Sequence, residues 1–205
     1  MPDLKDIKNQ TQAVYTRKAA YWHQVRDRSG YESHWIDRFL KGLPKGGQIL
    51  DIGCGTGDPI AGNLMAQGFR VTGIDYAPTM IELAEETYPA GNWIVADITD
   101  LPELGLFDGL ISWDGFFHLS IEEQREVLAK YAKFLKPGGS LLFTVGPEES
   151  EVTGQIDDET VYHASLSPQE YEKILRGGGF SKFVFQAKDA ACLGRSVLLA
   201  TGLNA

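Results

Sequence analysis

The chain has 205 residues, which fits a single domain with at most a small appendage. Its formal net charge is -9, with 28 acidic against 19 basic residues, so nucleic acid is not expected as a partner because phosphate binding needs a cationic face. No apolar run reaches the roughly 20 residues that span a bilayer, and the polar start of the chain lacks a signal-peptide core, so we expect a cytoplasmic protein with no membrane partner.

Two helices are predicted near the start of the chain, over residues 11–41, with Gly30 between them. One face of the first helix carries residues that recur at helical spacing: Val14, Tyr15, Lys18, Trp22 and Val25. A linker rich in glycine and proline follows at 42–47 and separates these helices from the rest of the chain.

A glycine-rich turn follows the apolar run at 49–52, which indicates a buried parallel strand. The turn places glycines at alternate positions, Gly53, Gly55 and Gly57, where a ligand can approach the main chain closely. Asp58 is predicted to cap a helix whose first position is Pro59. A strand, a glycine turn and a helix open a nucleotide-binding α/β domain, although Asp58 breaks the Gly-x-Gly-x-x-Gly spacing of dinucleotide sites.

The next two predicted strands each end in an acid. The second, at 69–75, ends in Asp75, about 20 positions beyond the glycines, where a carboxylate can accept both hydroxyls of a ribose. Tyr76 offers a flat surface beside it, and Met80 lies on the apolar face of the helix that follows. The third strand, at 92–98, closes with Asp97 and Ile98.

The fourth predicted strand runs into an aromatic-rich stretch at 113–119 that contains Trp113, Asp114 and His118. Because strands next to the switch point of such a sheet deliver their carboxyl ends to the ligand crevice, this stretch is predicted to floor a reaction site. A capped helix and a fifth strand at 140–145 follow. Residues 146–166 show no clear period, and we interpret them as an irregular lid or acceptor loop.

The stretches DIGCGTG and LKPGGSLLFT, with Asp75 and Asp97, resemble the class I S-adenosylmethionine-dependent methyltransferases, sharply over 48–145 and loosely over 167–201. The resemblance implies an α/β fold: a Rossmann-like, mostly parallel seven-stranded sheet with helices on both faces and a C-terminal antiparallel hairpin. It implies one domain over 1–205. This comprises covering helices at 1–45, a cofactor-binding core at 46–145, the irregular loop, and a last helix and hairpin at 167–205.

The same resemblance implies S-adenosylmethionine as cofactor and S-adenosylhomocysteine as its product. The residues expected to bind it are Asp51, Gly53, Cys54, Gly55, Gly57, Asp75, Tyr76, Met80, Asp97, Ile98 and Trp113. Tyr15, Arg17 and Trp22 of the first helix are expected to cover its methionine end. For Tyr15 and Trp22, the alternative of a plain apolar helix face stays open.

Methyl transfer from a sulfonium is an in-line displacement in which the protein positions the nucleophile and excludes water, so no metal is needed. Cys54 and Cys192, the only cysteines, belong to no ligand cluster. A protonated acceptor would need a base, and the candidates are His118, His163 and Asp114.

The predicted acceptor is a small molecule, apolar, aromatic or cationic, that is methylated on oxygen or nitrogen by a monomer or homodimer. Two other functions stay open at this point. One is a binding module that holds the cofactor without chemistry, and the other is an NAD-type oxidoreductase on a related sheet.

Overall fold

The structure is a computed structural model that describes residues 3–204, and its centre is a seven-stranded sheet with the strand order β3-β2-β1-β4-β5-β9-β8. Strands β3, β2, β1, β4 and β5 are parallel to one another, and β9 pairs antiparallel with both β5 and β8. This confirms the predicted sheet and its C-terminal antiparallel hairpin. The strands are β1 (Gln48–Ile52), β2 (Arg70–Asp75), β3 (Asn92–Val95), β4 (Phe107–Ser112), β5 (Leu135–Val145), β8 (Phe180–Asp189) and β9 (Arg195–Leu203).

Helices cover both faces of the sheet. The helices are α1 (Leu4–Val25), α2 (Ser33–Leu40), α3 (Ile60–Ala66), α4 (Pro78–Thr87), α5 (Ile121–Tyr131) and α6 (Pro168–Gly177). Helices α5 and α6 bury Leu128 and Tyr171 in one apolar cluster, while α2, α3 and α4 bury Ile36, Leu64 and Ile81 in another. Each cluster removes apolar side chains from water, and this burial is the main stabilising term of the fold.

Residues 146–166 form a β-hairpin, so the prediction of an irregular loop is wrong. Strand β6 (Ser150–Ile156) pairs antiparallel with β7 (Glu159–Ser165), and the two make a separate small sheet. The alternation of side chains is hard to recognise in the sequence because both faces of β7 are largely buried. Val161 packs against α1 on one side of the hairpin, and Tyr162 and Ala164 pack against α1 and α5 in another cluster.

Helix α1 begins at Leu4, earlier than predicted, because Asp3 caps its first turn. Its apolar contacts lie in three small clusters with the hairpin and α4 rather than in the main core. The acidic residues at the turn of the hairpin form ion pairs with helix α1. Lys18 Nζ lies 2.7 Å from Asp157 and 2.6 Å from Asp158. Helix α1 and the hairpin therefore form one roof over the carboxyl ends of the parallel strands.

The start of α3 differs from its prediction. The helix begins at Ile60, and Asp58 does not cap it. The Asp58 carboxylate instead accepts hydrogen bonds from Arg28 and from the Tyr88 hydroxyl, so it joins the glycine turn to the chain that follows α1. Among residues 3–204, no helix combines the length and apolar character needed to cross a membrane.

Gly57, the third glycine of the turn, is required by packing. Its φ is +74°, and a Cβ added there would lie 2.7 Å from the Trp93 ring and 3.2 Å from Tyr88. Gly68 has a comparable φ of +88°, but nothing lies within 4 Å of the position of its Cβ. The two glycines therefore share the backbone constraint and differ in the free space around them.

We predict that Gly57→Ala lowers the free energy of unfolding by about 2–4 kcal/mol, because backbone strain and overpacking add. Gly68→Ala serves as the matched control and is expected to cost about 1–2 kcal/mol from backbone strain alone. Chemical denaturation of both variants measures the difference, and equal losses would contradict the packing role of Gly57.

Candidate cofactor-binding and active site

A cavity of about 260 Å³ lies at the carboxyl ends of the parallel strands, beneath α1. Ten of the predicted cofactor-binding and catalytic residues line it: Tyr15, Trp22, Gly53, Gly55, Asp75, Tyr76, Met80, Asp97, Ile98 and His118. The fold therefore brings predicted site residues together in one cavity. They come from the ends of β1, β2 and β3, from the turn after β4 and from helix α1 of the roof. Cys54, Gly57, Asp51, Trp113, Asp114 and His163 do not line this cavity.

The glycine turn bends back onto β2. Where Gly53 and Gly55 of this turn line the cavity, the main chain carries no side chains. The amides of Gly53 and Cys54 both donate to the Ile74 carbonyl, at 2.8 and 2.9 Å. Gly53 has φ +69°, and a Cβ on it would lie 3.2 Å from the Cα of Gly115. The turns after β1 and β4 thus touch backbone to backbone, which only glycine at both places allows.

Asp75 is buried at the end of β2 and is held by main-chain donors. Its two carboxylate oxygens accept hydrogen bonds from the amides of Gly55 and Ala77, each at 2.9 Å. Burial raises the pKa of Asp75 to about 6, against the lowering effect of these amides. A carboxylate oxygen has more than one lone pair, so both oxygens can still accept hydroxyl donors from the cavity.

Asp51 is a buried carboxylate that the protein itself does not satisfy. It is 2% exposed, and its Oδ2 has no hydrogen-bond partner among residues 3–204. Burial, and then the charge of Asp75, raise the pKa of Asp51 to about 7. Asp51 opens onto a small recess beside the main cavity, together with Arg26, Trp22, Cys54, Trp113 and Asp114. A cationic ligand group in this recess would restore the charge on the Asp51 carboxylate.

Besides Asp51, three predicted cofactor residues do not line the main cavity. Gly57 packs against Trp93, as described above. Cys54 is partly buried, its thiol is close to Gly73, and burial raises its pKa, so it is not poised as a nucleophile. Trp113 is buried against Tyr31 and reaches only the recess.

Asp97 is exposed at the rim of the cavity, two residues beyond the end of β3. Its Oδ1 accepts hydrogen bonds from the amide and the hydroxyl of Thr99, at 2.8 and 2.7 Å. These contacts fix the carboxylate and leave its Oδ2 without a hydrogen-bond partner in the described chain. Ile98, buried next to it, supplies an apolar wall of the cavity.

His118 is locked in one tautomer. Its Nδ1 donates to the Tyr162 carbonyl at 2.8 Å, since a carbonyl oxygen can only accept, so Nε2 accepts the Tyr15 hydroxyl at 2.6 Å. Burial, and then the neighbouring His163, lower the pKa of His118 to about 3. His118 is therefore neutral, and its acceptor nitrogen is already used by Tyr15.

His163 lies on β7 and faces away from the main cavity. Its ring packs 4.7 Å from the Phe117 ring and 5.0 Å from the His118 ring. Burial lowers its pKa, so it too is neutral near pH 7. The ring borders a second cavity of about 210 Å³, which also lies against the end of β5.

The Asp114 carboxylate lies between two arginines, with 10% of its side chain exposed. Arg26, the residue after α1, donates to Oδ2 at 2.8 Å, and Arg195 of β9 donates to both oxygens, at 2.9 Å and 2.8 Å for the shortest contacts. Burial alone would raise the pKa of Asp114, but the hydrogen bonds and charges of Arg195 and Arg26 hold it below its ordinary value. Both oxygens are engaged, so this carboxylate is a poor base.

Arg26 borders the site, whereas Arg17, the arginine expected near the cofactor, does not. Arg17 is exposed and pairs with Glu159 at the hairpin, away from the cavity. Arg26 directly follows the last residue of α1, has only 8% of its surface exposed, and borders the recess that contains Asp51. No local signal distinguishes the two arginines, since the partner of Arg26 is 88 positions away.

Polar contacts fasten α1 over the cavity. Gln12 donates to the Tyr76 carbonyl at 3.1 Å, the Thr79 hydroxyl donates to the Thr16 carbonyl at 3.0 Å, and His23 hydrogen-bonds Thr56 of the glycine turn at 3.0 Å. His23 is therefore part of the attachment of α1. In residues 3–204, no three His, Cys, Asp or Glu side chains are grouped so that they could hold a metal ion.

Comparison with known proteins shows that the chain is similar to methyltransferases. Residues 49–139 match the methyltransferase domain family. The Bacillus subtilis methyltransferase YqeM is 31% identical over 64% of this chain, which spans 55% of the length of that relative. The O-methyltransferase rstn1 of Aspergillus nomiae is 33% identical over 69% of this chain and 67% of its own.

A solved structure shows the same fold. The 1,6-didemethyltoxoflavin-N1-methyltransferase of Burkholderia thailandensis, with bound 1,6-didemethyltoxoflavin and S-adenosylhomocysteine, matches with a TM-score of 0.71 at 18% identity, over 100% of this chain and 92% of its own. The glycine turn and the acids Asp51, Asp75 and Asp97 at the carboxyl ends of β1, β2 and β3 agree with the family that these matches indicate. The chain belongs to the class I S-adenosylmethionine-dependent methyltransferases.

Proposed function

We propose that this chain transfers the methyl group of S-adenosylmethionine to an oxygen or nitrogen of a small-molecule acceptor and releases S-adenosylhomocysteine. The observation that carries the proposal is the unpaired, buried Oδ2 of Asp51 beside the glycine turn. A buried carboxylate without a partner is costly unless a ligand completes it. The ammonium group of S-adenosylmethionine has the charge and the hydrogen-bond donors that this oxygen lacks.

The other residues of the site fit the remaining parts of the cofactor. Asp75 has free lone pairs for the ribose hydroxyls, and Tyr76 and Ile98 offer apolar walls for the adenine beside Asp97. Arg26 borders the recess as a donor for the methionine carboxylate. The bare glycine turn lets the ligand approach the main chain. These roles are assigned from the contacts and the burial of the described residues.

When bound, the cofactor supplies an activated methyl group. The protein positions the reacting groups and excludes water from them. The α1 roof, held by Gln12, Thr16 and His23, excludes water from the cavity. Asp114 fixes the turn that carries Gly115 and His118, so it is a positioning residue in this proposal. His118 holds the Tyr15 hydroxyl at the cavity wall. Such placement supplies much of the rate of a displacement reaction.

The small-molecule acceptor is supported by the enclosure of the site. The roof leaves a cavity of about 260 Å³, which suits a ligand rather than a macromolecular surface, and the net charge of -9 opposes nucleic acid. The oligomeric state, monomer or homodimer, and the cytoplasmic location stay predictions.

We predict that S-adenosylhomocysteine binds the purified protein and that Asp75→Ala and Asp97→Ala each weaken binding about 10- to 100-fold, since each removes a charged acceptor worth about 1.5–3 kcal/mol. Asp100→Ala, an exposed acid near Asp97 that does not line the cavity, is the matched control and should leave binding unchanged. Calorimetric titration with S-adenosylhomocysteine measures the affinity of the wild type and of the three variants. Binding of NADH in place of S-adenosylhomocysteine would contradict the proposal.

We predict that binding of the cofactor is coupled to release of a proton from Asp51. Its pKa of about 7 in the free protein must fall when an ammonium group pairs with it, so binding below about pH 7 releases a proton and affinity rises with pH up to that value. Calorimetry in two buffers of different ionisation enthalpy measures the proton count. A proton count of zero at about pH 6 would argue against the Asp51–ammonium pair.

The same group should destabilise the free protein at high pH. The folded pKa of Asp51 is raised above its unfolded value of 3.8, so its contribution to stability declines as pH rises from about 4 to about 7. Asp51→Asn is therefore expected to raise the free energy of unfolding by about 1–2 kcal/mol at about pH 8, and by less at about pH 5. Asp108→Asn is the control with the opposite sign, because Asp108 accepts hydrogen bonds from Gln48 and Lys136. Denaturation at both pH values measures the two variants.

A further inference from the structure

The β6–β7 hairpin has two main-chain edges, one on each strand. Ile156 and Glu159 close its two-residue turn as a hydrogen-bonded pair, and the pairing continues without a bulge to Ser150 and Ser165. Alternate residues of each strand therefore direct their amide and carbonyl groups away from the hairpin. These outward residues are Thr160, Tyr162 and Ala164 on β7, and Glu151, Thr153 and Gln155 on β6.

Side chains from the body of the protein bind the outward groups of β7. The Thr11 hydroxyl accepts a hydrogen bond from the Tyr162 amide at 3.1 Å. His118 donates to the Tyr162 carbonyl, and Gln124 donates to the Ala164 carbonyl, each at 2.8 Å. On β6, by contrast, the three outward residues are exposed, and within residues 3–204 their outward amide and carbonyl groups have no hydrogen-bond partner. Strand β6 therefore presents a free row of donors and acceptors.

The two edges of the seven-stranded sheet are protected, whereas the β6 edge is not. Strand β3 has only 4 residues, and β8 carries Lys182, Lys188 and a register shift between Gln186 and Asp189. Short strands, lysines and bulges are common means by which proteins keep an edge from pairing with another chain. Strand β6 has 7 residues, regular pairing and no lysine or proline. Its edge is therefore suited to pairing.

The side chains of β6 favour a second copy of the same strand as the partner. Val152 lies near the middle of β6 and is 49% exposed. When two β6 strands run antiparallel about Val152, each valine lies opposite the other and both lose contact with water. In this register Glu151 lies opposite Thr153 of the second copy, and Asp157 lies opposite Pro147. No acid is opposite another acid.

The neighbouring registers each oppose two acids, and like charges directly opposite are destabilising. Pairing centred on Glu151 would place that residue opposite itself. Pairing centred on Thr153 would place Glu149 opposite Asp157, and pairing centred on Gly154 would place Glu151 opposite Asp157. The register centred on Val152 is therefore favoured by both charge and apolar contact.

We propose that the protein forms a homodimer in which the β6 strands of two copies pair antiparallel about Val152, so that two hairpins make one four-stranded sheet. Glu151 and Thr153 exchange about four main-chain hydrogen bonds with Thr153 and Glu151 of the second copy. The two Val152 residues form a non-hydrogen-bonded pair with Cα atoms about 4.5 Å apart. Because the hairpin is part of the roof, the dimer joins the roofs of two cavities.

Sedimentation equilibrium of the intact protein measures the association. A single strand pair buries less surface than the roughly 1,600 Å² of a standard interface, so we expect a dissociation constant in the micromolar range. The mass should rise from that of one chain at about 1 µM to that of two chains at about 500 µM. A mass of one chain at every concentration would overturn the proposal.

Val152→Glu tests the surface, because it places two carboxylates directly opposite each other. We expect it to raise the dissociation constant at least about 10-fold. Val184→Glu, at an exposed valine on the protected edge strand β8, is the matched control and should leave the constant unchanged. Far-UV circular dichroism checks that both variants are folded. An unchanged constant in folded Val152→Glu would show that another surface forms the dimer and would overturn the proposal.

Oxidative cross-linking tests the register without introducing a charge. Val152→Cys brings two thiols together at a Cα separation that a disulfide can span, so we expect a covalent dimer on a non-reducing gel. Thr153→Cys is the matched control, because its copy lies diagonally across the pair, beyond the roughly 7 Å limit for a disulfide. The wild type, with Cys54 and Cys192, should stay uncross-linked. Absence of the cross-link in Val152→Cys, or an equal cross-link in Thr153→Cys, would overturn the proposed pairing.

Discussion

The carboxylate of Asp114, buried between Arg26 and Arg195, is the interaction on which the arrangement of the site depends. It joins the end of α1, the turn after β4 and the β8–β9 hairpin, three segments that are far apart in the chain. Removing one partner of such a network leaves an uncompensated buried charge, which typically costs about 3–5 kcal/mol. Asp114 also adopts φ +59°, a strained value for a residue other than glycine, and the two arginines hold it there.

This network sets the geometry on both sides of it. Gly115 follows Asp114 directly and meets Gly53 of the glycine turn, so the position of the carboxylate determines how the turns after β1 and β4 approach each other. His118 lies on the same short segment and carries the contact to Tyr15. A charge cluster with no place in the main apolar core therefore positions the floor and the roof of the cavity together.

The parts that the sequence predicted are those whose signals are local. The β1 turn, Asp75 and Asp97 each follow a short apolar strand, and parallel strands bring their carboxyl ends to one edge without further information. The hairpin at 150–165 was missed because residues on both faces of β7 are buried, which removes the alternation that identifies a strand. The pairing of Arg26 with Asp114 could not be predicted, because it depends on where α1 ends relative to β4. Asp58 was predicted to cap a helix because of its position before Pro59. In the structure its carboxylate instead binds Arg28 and Tyr88, which are distant in the sequence.

The way α1 is attached has a kinetic consequence. The sheet and its helices share two large apolar clusters, whereas α1 relies on three small ones and on polar contacts that are partly exposed to water. Segments with few buried contacts open at a lower free energy than the whole protein unfolds. We therefore expect helix α1 to open at a lower free energy than the sheet unfolds, which gives ligands a route into and out of the cavity. The residence time of a bound ligand is then a property of the roof, set by the frequency at which α1 opens rather than by the strength of the contacts in the cavity.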